Sequence, residues 1–184
     1  MLISRDNSCL LVVDIQEKLL PAMQDPMLVV RNTGVLMQAA ARLGVPIVVS
    51  EQYPQGLGPT VAELRHLAPA ESIHAKTTFS CADDQVLRQK LAQLKRAQVI
   101  LCGIEAHVCV LQTALGLSGT EPPSGLSPVV VADATSSRTT ANREAALARL
   151  RADSVQIATT EMVLFEWLGR AGTPEFKELS RLIR

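Results

Sequence analysis

The 184-residue chain is short of aromatic residues (3%), carries no net charge and contains no long apolar run. Each shortage excludes something. With one Trp, one Tyr and three Phe, the core must be built from Leu, Val, Ile and Ala, and the 47% hydrophobic content supplies them. Eighteen basic residues balance eighteen acidic ones, and no stretch concentrates one sign. That argues against a polyanion-binding face, so neither nucleic acid nor a membrane surface is an expected partner, and a neutral chain tends toward self-association. No apolar run reaches the roughly 20 residues that a membrane-spanning helix needs. The opening "MLISRDNSCLLVVDIQ" lacks the basic segment, apolar stretch and cleavage site of a secretory signal, so a cytoplasmic location is expected. Cys9, Cys81, Cys102 and Cys109 are scattered, with no pair at two-residue spacing. That pattern fits neither a structural zinc site nor a disulfide framework.

What is present is alternation. Short β-branched runs, "CLLVVDI" (9–15), "VPIVVSE" (45–51), "SIHAKT" (72–77), "QVILCG" (98–103), "PVVVADA" (128–134) and "SVQIATT" (154–160), read as six strands. Between them lie helical patterns over 26–44, 83–97, 107–117 and 139–152, the second capped by Asp83 or Asp84. Two more helices, "EMVLFEWLG" and "PEFKELSRLIR", close the chain, and "TEPPSGLS" (120–127) reads as an exposed turn. Strands alternating with helices imply a parallel sheet covered on both faces. The fold class is therefore α/β: a three-layer α/β/α Rossmann-like domain with a mostly parallel sheet of about six strands. At this length residues 1–184 are expected to form a single domain.

In such sheets ligands bind at the carboxyl ends of the strands, where strand order reverses. Asp14 follows the first strand, Lys76 ends the third, and Glu105, His107 and Cys109 follow the fourth. A thiol near its ordinary pKa of about 8.5 is mostly protonated at neutral pH. A helix N-terminus and a nearby lysine would both favour the thiolate. A carboxylate in reach can take the proton as sulfur attacks a carbonyl. Taken singly, Cys109 reads as a buried small hydrophobe, Asp14 as a turn cap and Lys76 as a solvated charge. Their placement on one edge is what favours nucleophilic catalysis.

The stretches "LLVVDIQEKLLPAM" (10–23), "KTTFSC" (76–81) and "LCGIEAHVCVLQTAL" (101–115), in that order, resemble the isochorismatase-like cysteine hydrolase superfamily. "SEQYPQGLGPTVAEL" (50–64) and "VADATSSR" (131–138) are most similar to its small isochorismatase-domain subgroup. The resemblance implies a catalytic triad of Asp14, Lys76 and Cys109. It also implies a cis peptide between Ile104 and Glu105 that turns the N–H groups of Glu105 and Cys109 into an oxyanion hole. Metal-dependent relatives carry an Asp-x-His pair where this chain has "SEQYPQG", so no metal and no cofactor is expected. Members that hydrolyse vinyl ethers lack the cysteine, so Cys109 favours acyl chemistry. The expected function is a metal-independent hydrolase that cleaves a C–N bond of a small amide or carbamoyl compound through a thioester. The alternatives are a non-catalytic interaction protein that keeps the fold, or a thiol redox sensor in which Cys102 or Cys81 resolves an oxidised Cys109. Tyr53, Phe79, Glu105, His107 and Arg138 are weaker candidates for substrate binding, with Arg138 suited to a carboxylate or to a Glu of a neighbouring subunit. Homo-oligomers are common among relatives, and Phe165, Trp167 and Leu168 are candidates to bury surface between subunits.

Overall fold

Strands β1 (Ser8–Val13), β2 (Ile47–Gln52) and β4 (Gln98–Ile104) are buried at every position, with no polar alternation. A strand covered on both faces is buried along its whole length, and the polar residues it carries, here Ser50, Glu51 and Gln52 at the end of β2, need partners inside the fold. In the computed structural model, which describes residues 1–119 and 125–183, these join β3 (Ile73–Lys76), β5 (Ser127–Ser136) and β6 (Gln156–Ala158) in one six-stranded sheet. The order is β3-β2-β1-β4-β5-β6 and every pairing is parallel. The order reverses between β1 and β4, so the crevice for a ligand opens beyond Val13 and Ile104.

The α/β/α expectation is met. Helices α1 (Pro26–Leu43), α7 (Thr160–Leu168) and α8 (Pro174–Leu179), with the single turn α3 (Ala62–Arg65), cover one face. Their core includes Leu36, Leu64, Val163, Trp167 and Leu179 against Leu10, Val12, Ile100 and Cys102. Helices α4 (Gln85–Gln93), α5 (Leu111–Ser118) and α6 (Thr140–Ala152) cover the other. There Leu87, Leu91, Leu117 and Leu150 pack on Cys9, Leu11, Leu101 and Val130. One further turn, α2 (Pro54–Leu57), lies in the Gly/Pro-rich loop after β2.

Several boundaries move for identifiable reasons. The first strand stops at Val13 because Asp14 adopts φ 52, a left-handed conformation that ends strand geometry. The last strand is shorter than 154–160 because the Thr159 side chain accepts from Met162 N–H and starts α7. Asp84, not Asp83, caps α4, accepting from the N–H groups of Val86 and Leu87. Where one helix over 107–117 is predicted, Ala106–Val110 forms a π-helical turn and α5 begins at Leu111. The Glu105 carbonyl widens that turn by accepting from both Val108 N–H (3.1 Å) and Val110 N–H (3.2 Å). Most of the expected turn at 120–127 lies outside the described residues; Ser127 already belongs to β5. Trp167 (2% exposed) and Leu168 (9%) are consumed by the chain's own core, so of the three candidates for subunit contact only Phe165 (46%) remains on the surface.

Candidate active site

Asp14 and Lys76 stand two strands apart, with β2 between them. The long lysine stem bridges that gap. Lys76 Nζ lies 2.8 Å from Asp14 Oδ2, and neither side chain has exposed surface. The same nitrogen meets Gln52 Oε1 at 2.6 Å and the carbonyls of Thr78 and Phe79 at 3.1 Å each. Every partner is an acceptor, so Lys76 Nζ serves here only as a donor. Asp14 Oδ1 accepts from Ser50 Oγ at 2.6 Å, which pins the carboxylate from its other side.

Cys109 sits on the π turn with 5% of its surface exposed. Burial pushes its thiol well above the usual range. The charge of Asp14 and a hydrogen bond to it push the same way, while Lys76 opposes them. Lys76 acts in the expected direction, but burial and Asp14 act against it and are larger. Regular helix begins only at Leu111, and desolvation of the charged form outweighs the favourable dipoles. The direction of these effects favours the protonated thiol beside Asp14. Alkylation of Cys109 by iodoacetamide is accordingly expected to be slower than that of free cysteine at pH 7.5 and to keep rising beyond pH 9. Site-resolved mass spectrometry would check this, and a rate already level at pH 7 would mean a stored thiolate.

Three polar residues that sequence reasoning missed build the support: Gln16, Ser50 and Gln52. Gln16 is fully buried. Its amide donates to the carbonyls of Gln52 (3.0 Å) and Gly58 (2.7 Å), and its oxygen accepts from Gln52 N–H at 2.7 Å. Gln52 then hands its own oxygen to Lys76. The signal was the pair of glutamines at the ends of two apolar strands, where a buried carboxamide needs partners on both sides.

The weaker candidates lie around this centre. Glu105 is buried and holds Arg138 through two bonds, Nε to Oε2 at 2.8 Å and Nη2 to Oε1 at 2.9 Å. Within the chain Arg138 is thus paired with Glu105, with 60% of its side chain exposed. His107 Nδ1 lies 3.0 Å from Ser137 Oγ. Gln24 fastens the loop after β1 to the same rim through Ser136, Ser137 and Arg138. Tyr53 and Phe79 are each 55% exposed, so the Phe79 ring is not core; its carbonyl is what touches the site. Cys81 shares Cys109's face of the sheet, with its thiol raised by burial to about 11, whereas Cys102 packs on the opposite face. Of the two cysteines considered as resolving partners, Cys102 is thereby removed.

Among the described residues no three His, Cys, Asp or Glu side chains converge as a metal-binding group. Glu51, in the segment where metal-dependent relatives have ligands, accepts from Thr60 N–H (2.7 Å), Thr60 Oγ1 (2.8 Å) and Arg65 (3.0 Å). No helix among the described residues is long and apolar enough to cross a membrane.

An acid, a lysine and a thiol thus meet where the strand order of a parallel sheet reverses. Residues 8–162 match the isochorismatase domain family, and the chain belongs to it. It is 41% identical over 181 residues to isochorismatase domain-containing protein 2 of Danio rerio, covering 98% of this chain and 89% of that protein. The MAR1 ribonuclease of Caenorhabditis elegans superposes with a TM-score of 0.90 at 36% identity, covering 100% of this chain and 92% of the other. The YcaC gene product of Escherichia coli, described as an octameric hydrolase of unknown specificity, shares the fold with a TM-score of 0.90 at 22% identity, over 99% and 90% of the two chains.

Proposed function

We propose that residues 1–184 act as one isochorismatase-like domain that hydrolyses a C–N bond of a small amide or carbamoyl compound, without metal or cofactor. The observation that carries this is the buried Cys109–Asp14–Lys76 cluster at the sheet's switch point. Cys109 Sγ attacks the carbonyl carbon while Asp14 takes the thiol proton. The oxyanion is received by the N–H groups of Glu105 and Cys109; the Ile104–Glu105 peptide is cis, as the family resemblance implied. Asp14 returns its proton to the departing amine as the C–N bond breaks and leaves a thioester. Water, deprotonated by Asp14, then cleaves the thioester and restores the thiol. Lys76 and Ser50 keep the carboxylate fixed throughout. The octameric YcaC and the exposed Met162 and Phe165 on α7 favour a homo-oligomer.

The name of the C. elegans relative suggests a nuclease reading. The absence of excess positive charge on this chain favours a small neutral substrate instead. A panel of small amides, carbamoylated amines and an RNA strand separates the two, run on wild type, Cys109→Ala and Asp14→Asn. Amide turnover that falls on the order of ten-thousand-fold in Cys109→Ala is the expected result. Unchanged turnover in that variant, or turnover of RNA alone, would overturn it.

A further inference from the structure

Buried charges at the crevice come in matched pairs. Asp14 is matched by Lys76. Glu105, with 7% of its side chain exposed, is matched by Arg138, whose side chain is 60% exposed. Cys109 is buried beside Asp14, and both push its thiol up. Lys18, on the loop after β1, is exposed and donates to the Gly56 carbonyl at 3.1 Å. An entering carboxylate thus finds Lys76 and Arg138 already holding buried anions, while Lys18 and Arg143 are bonded to carbonyls alone.

Arg138 is the cation such a substrate would need. It lies on the rim beside the π turn that carries Cys109, and its two bonds to Glu105 have the parallel-fork geometry a substrate carboxylate would use. To reach it, a carboxylate has to evict Glu105. The displaced side chain would then be buried, charged and unpaired, because Arg138 is the one cation paired with it among the described residues. Glu105 also begins the segment that widens into the π turn, so it has little freedom to swing away.

We infer that the site takes small uncharged amides and rejects carboxylate-bearing ones, and that Glu105 sets this selectivity by occupying Arg138. The inference rests on the proposed function for the word amide, but the selectivity itself can be read without turnover. Iodoacetamide and iodoacetate are near-isosteres that differ by one negative charge. Their alkylation rates at Cys109, resolved by peptide mass spectrometry at pH 8.5, are compared with the same pair of rates on glutathione. Wild type is expected to favour iodoacetamide over iodoacetate at least tenfold more than glutathione does. Glu105→Gln frees the guanidinium and should erase most of that preference. Arg138→Gln leaves Glu105 uncompensated and should enlarge it. A merely structural role would slow both reagents together in both variants, so opposite shifts of the ratio are the signature. Arg138→Gln, at an exposed side chain, keeps the test alive if Glu105→Gln does not fold. A wild-type ratio equal to that of glutathione, or shifts of the same sign in both variants, overturns the inference even if amides are hydrolysed. Selective labelling without hydrolysis of any amide sinks the proposed function and leaves the selectivity standing. No labelling by either reagent sinks both.

Discussion

Lys76→Met is expected to lower stability by about 3–5 kcal/mol, the cost of stranding a buried charge by removing its partner. Asp14 would keep the Ser50 hydroxyl at 2.6 Å but lose the ammonium at 2.8 Å. The carbonyls of Thr78 and Phe79 and the Gln52 oxygen would lose their shared donor as well. With a urea dependence of roughly 2 kcal/mol per molar, the unfolding midpoint should fall by about 2 M. The double variant Asp14→Asn/Lys76→Met removes both charges, and it is expected to recover much of the midpoint while recovering no activity. That separation matters, because it splits the electrostatic role of the pair from its chemical one. Arg138→Gln serves as the contrast. Its ion pair is open to solvent on the arginine side and should cost about 1 kcal/mol or less. Equal midpoints for wild type and Lys76→Met would mean the pair is not desolvated, and the account of Asp14 as a fixed, charged base would fail with it.

The strands and layers were legible because they follow from periodicity. Apolar runs opening β1 and β2 and filling most of β4 state that both faces of the sheet are covered, and the end of β1 places Asp14; Lys76 ends the shorter, partly exposed β3. The proposed catalytic residues Asp14, Lys76 and Cys109 were legible because each lies at or soon after the end of a strand. What was not legible depends on distances across the sheet. Ser50 and Gln52 alternate along β2 as ordinary strand residues, and nothing local says that Asp14 and Lys76 will meet over them. Arg138 looked free because its partner Glu105 is 33 residues away. The burial of Cys109 was hidden for a related reason: a nearby lysine can be inferred from the order of strands, but desolvation, which pushes the thiol up, cannot. Trp167 and Leu168 looked like contact residues until α1 and α8 were seen to pack over them.

Gly103→Ala is the substitution expected to do most damage outside the triad. Gly103 has φ +124, which an L side chain rarely adopts, and a Cβ built there would lie 2.1 Å from the Val13 carbonyl oxygen and 2.8 Å from its carbon and nitrogen. These are backbone atoms of the paired strand, since Val13 and Gly103 are register partners, so no side-chain rotation relieves the clash. Strand β1 would have to move away from β4, and Asp14 is the next residue along β1. The chain is expected to lose more than about 4 kcal/mol and to accumulate as insoluble protein. Gly44→Ala is the control: φ is +72, but nothing lies within 4 Å of the added carbon, so a loss near 1 kcal/mol is expected there. If Gly103→Ala is soluble at low temperature, activity should fall further than stability, because the displaced Val13 carries Asp14 off the line between Lys76 and Cys109. A Gly103→Ala protein with wild-type melting temperature and turnover would show that β1 and β4 do not approach this closely at their carboxyl ends, and the site built on that approach would have to be abandoned.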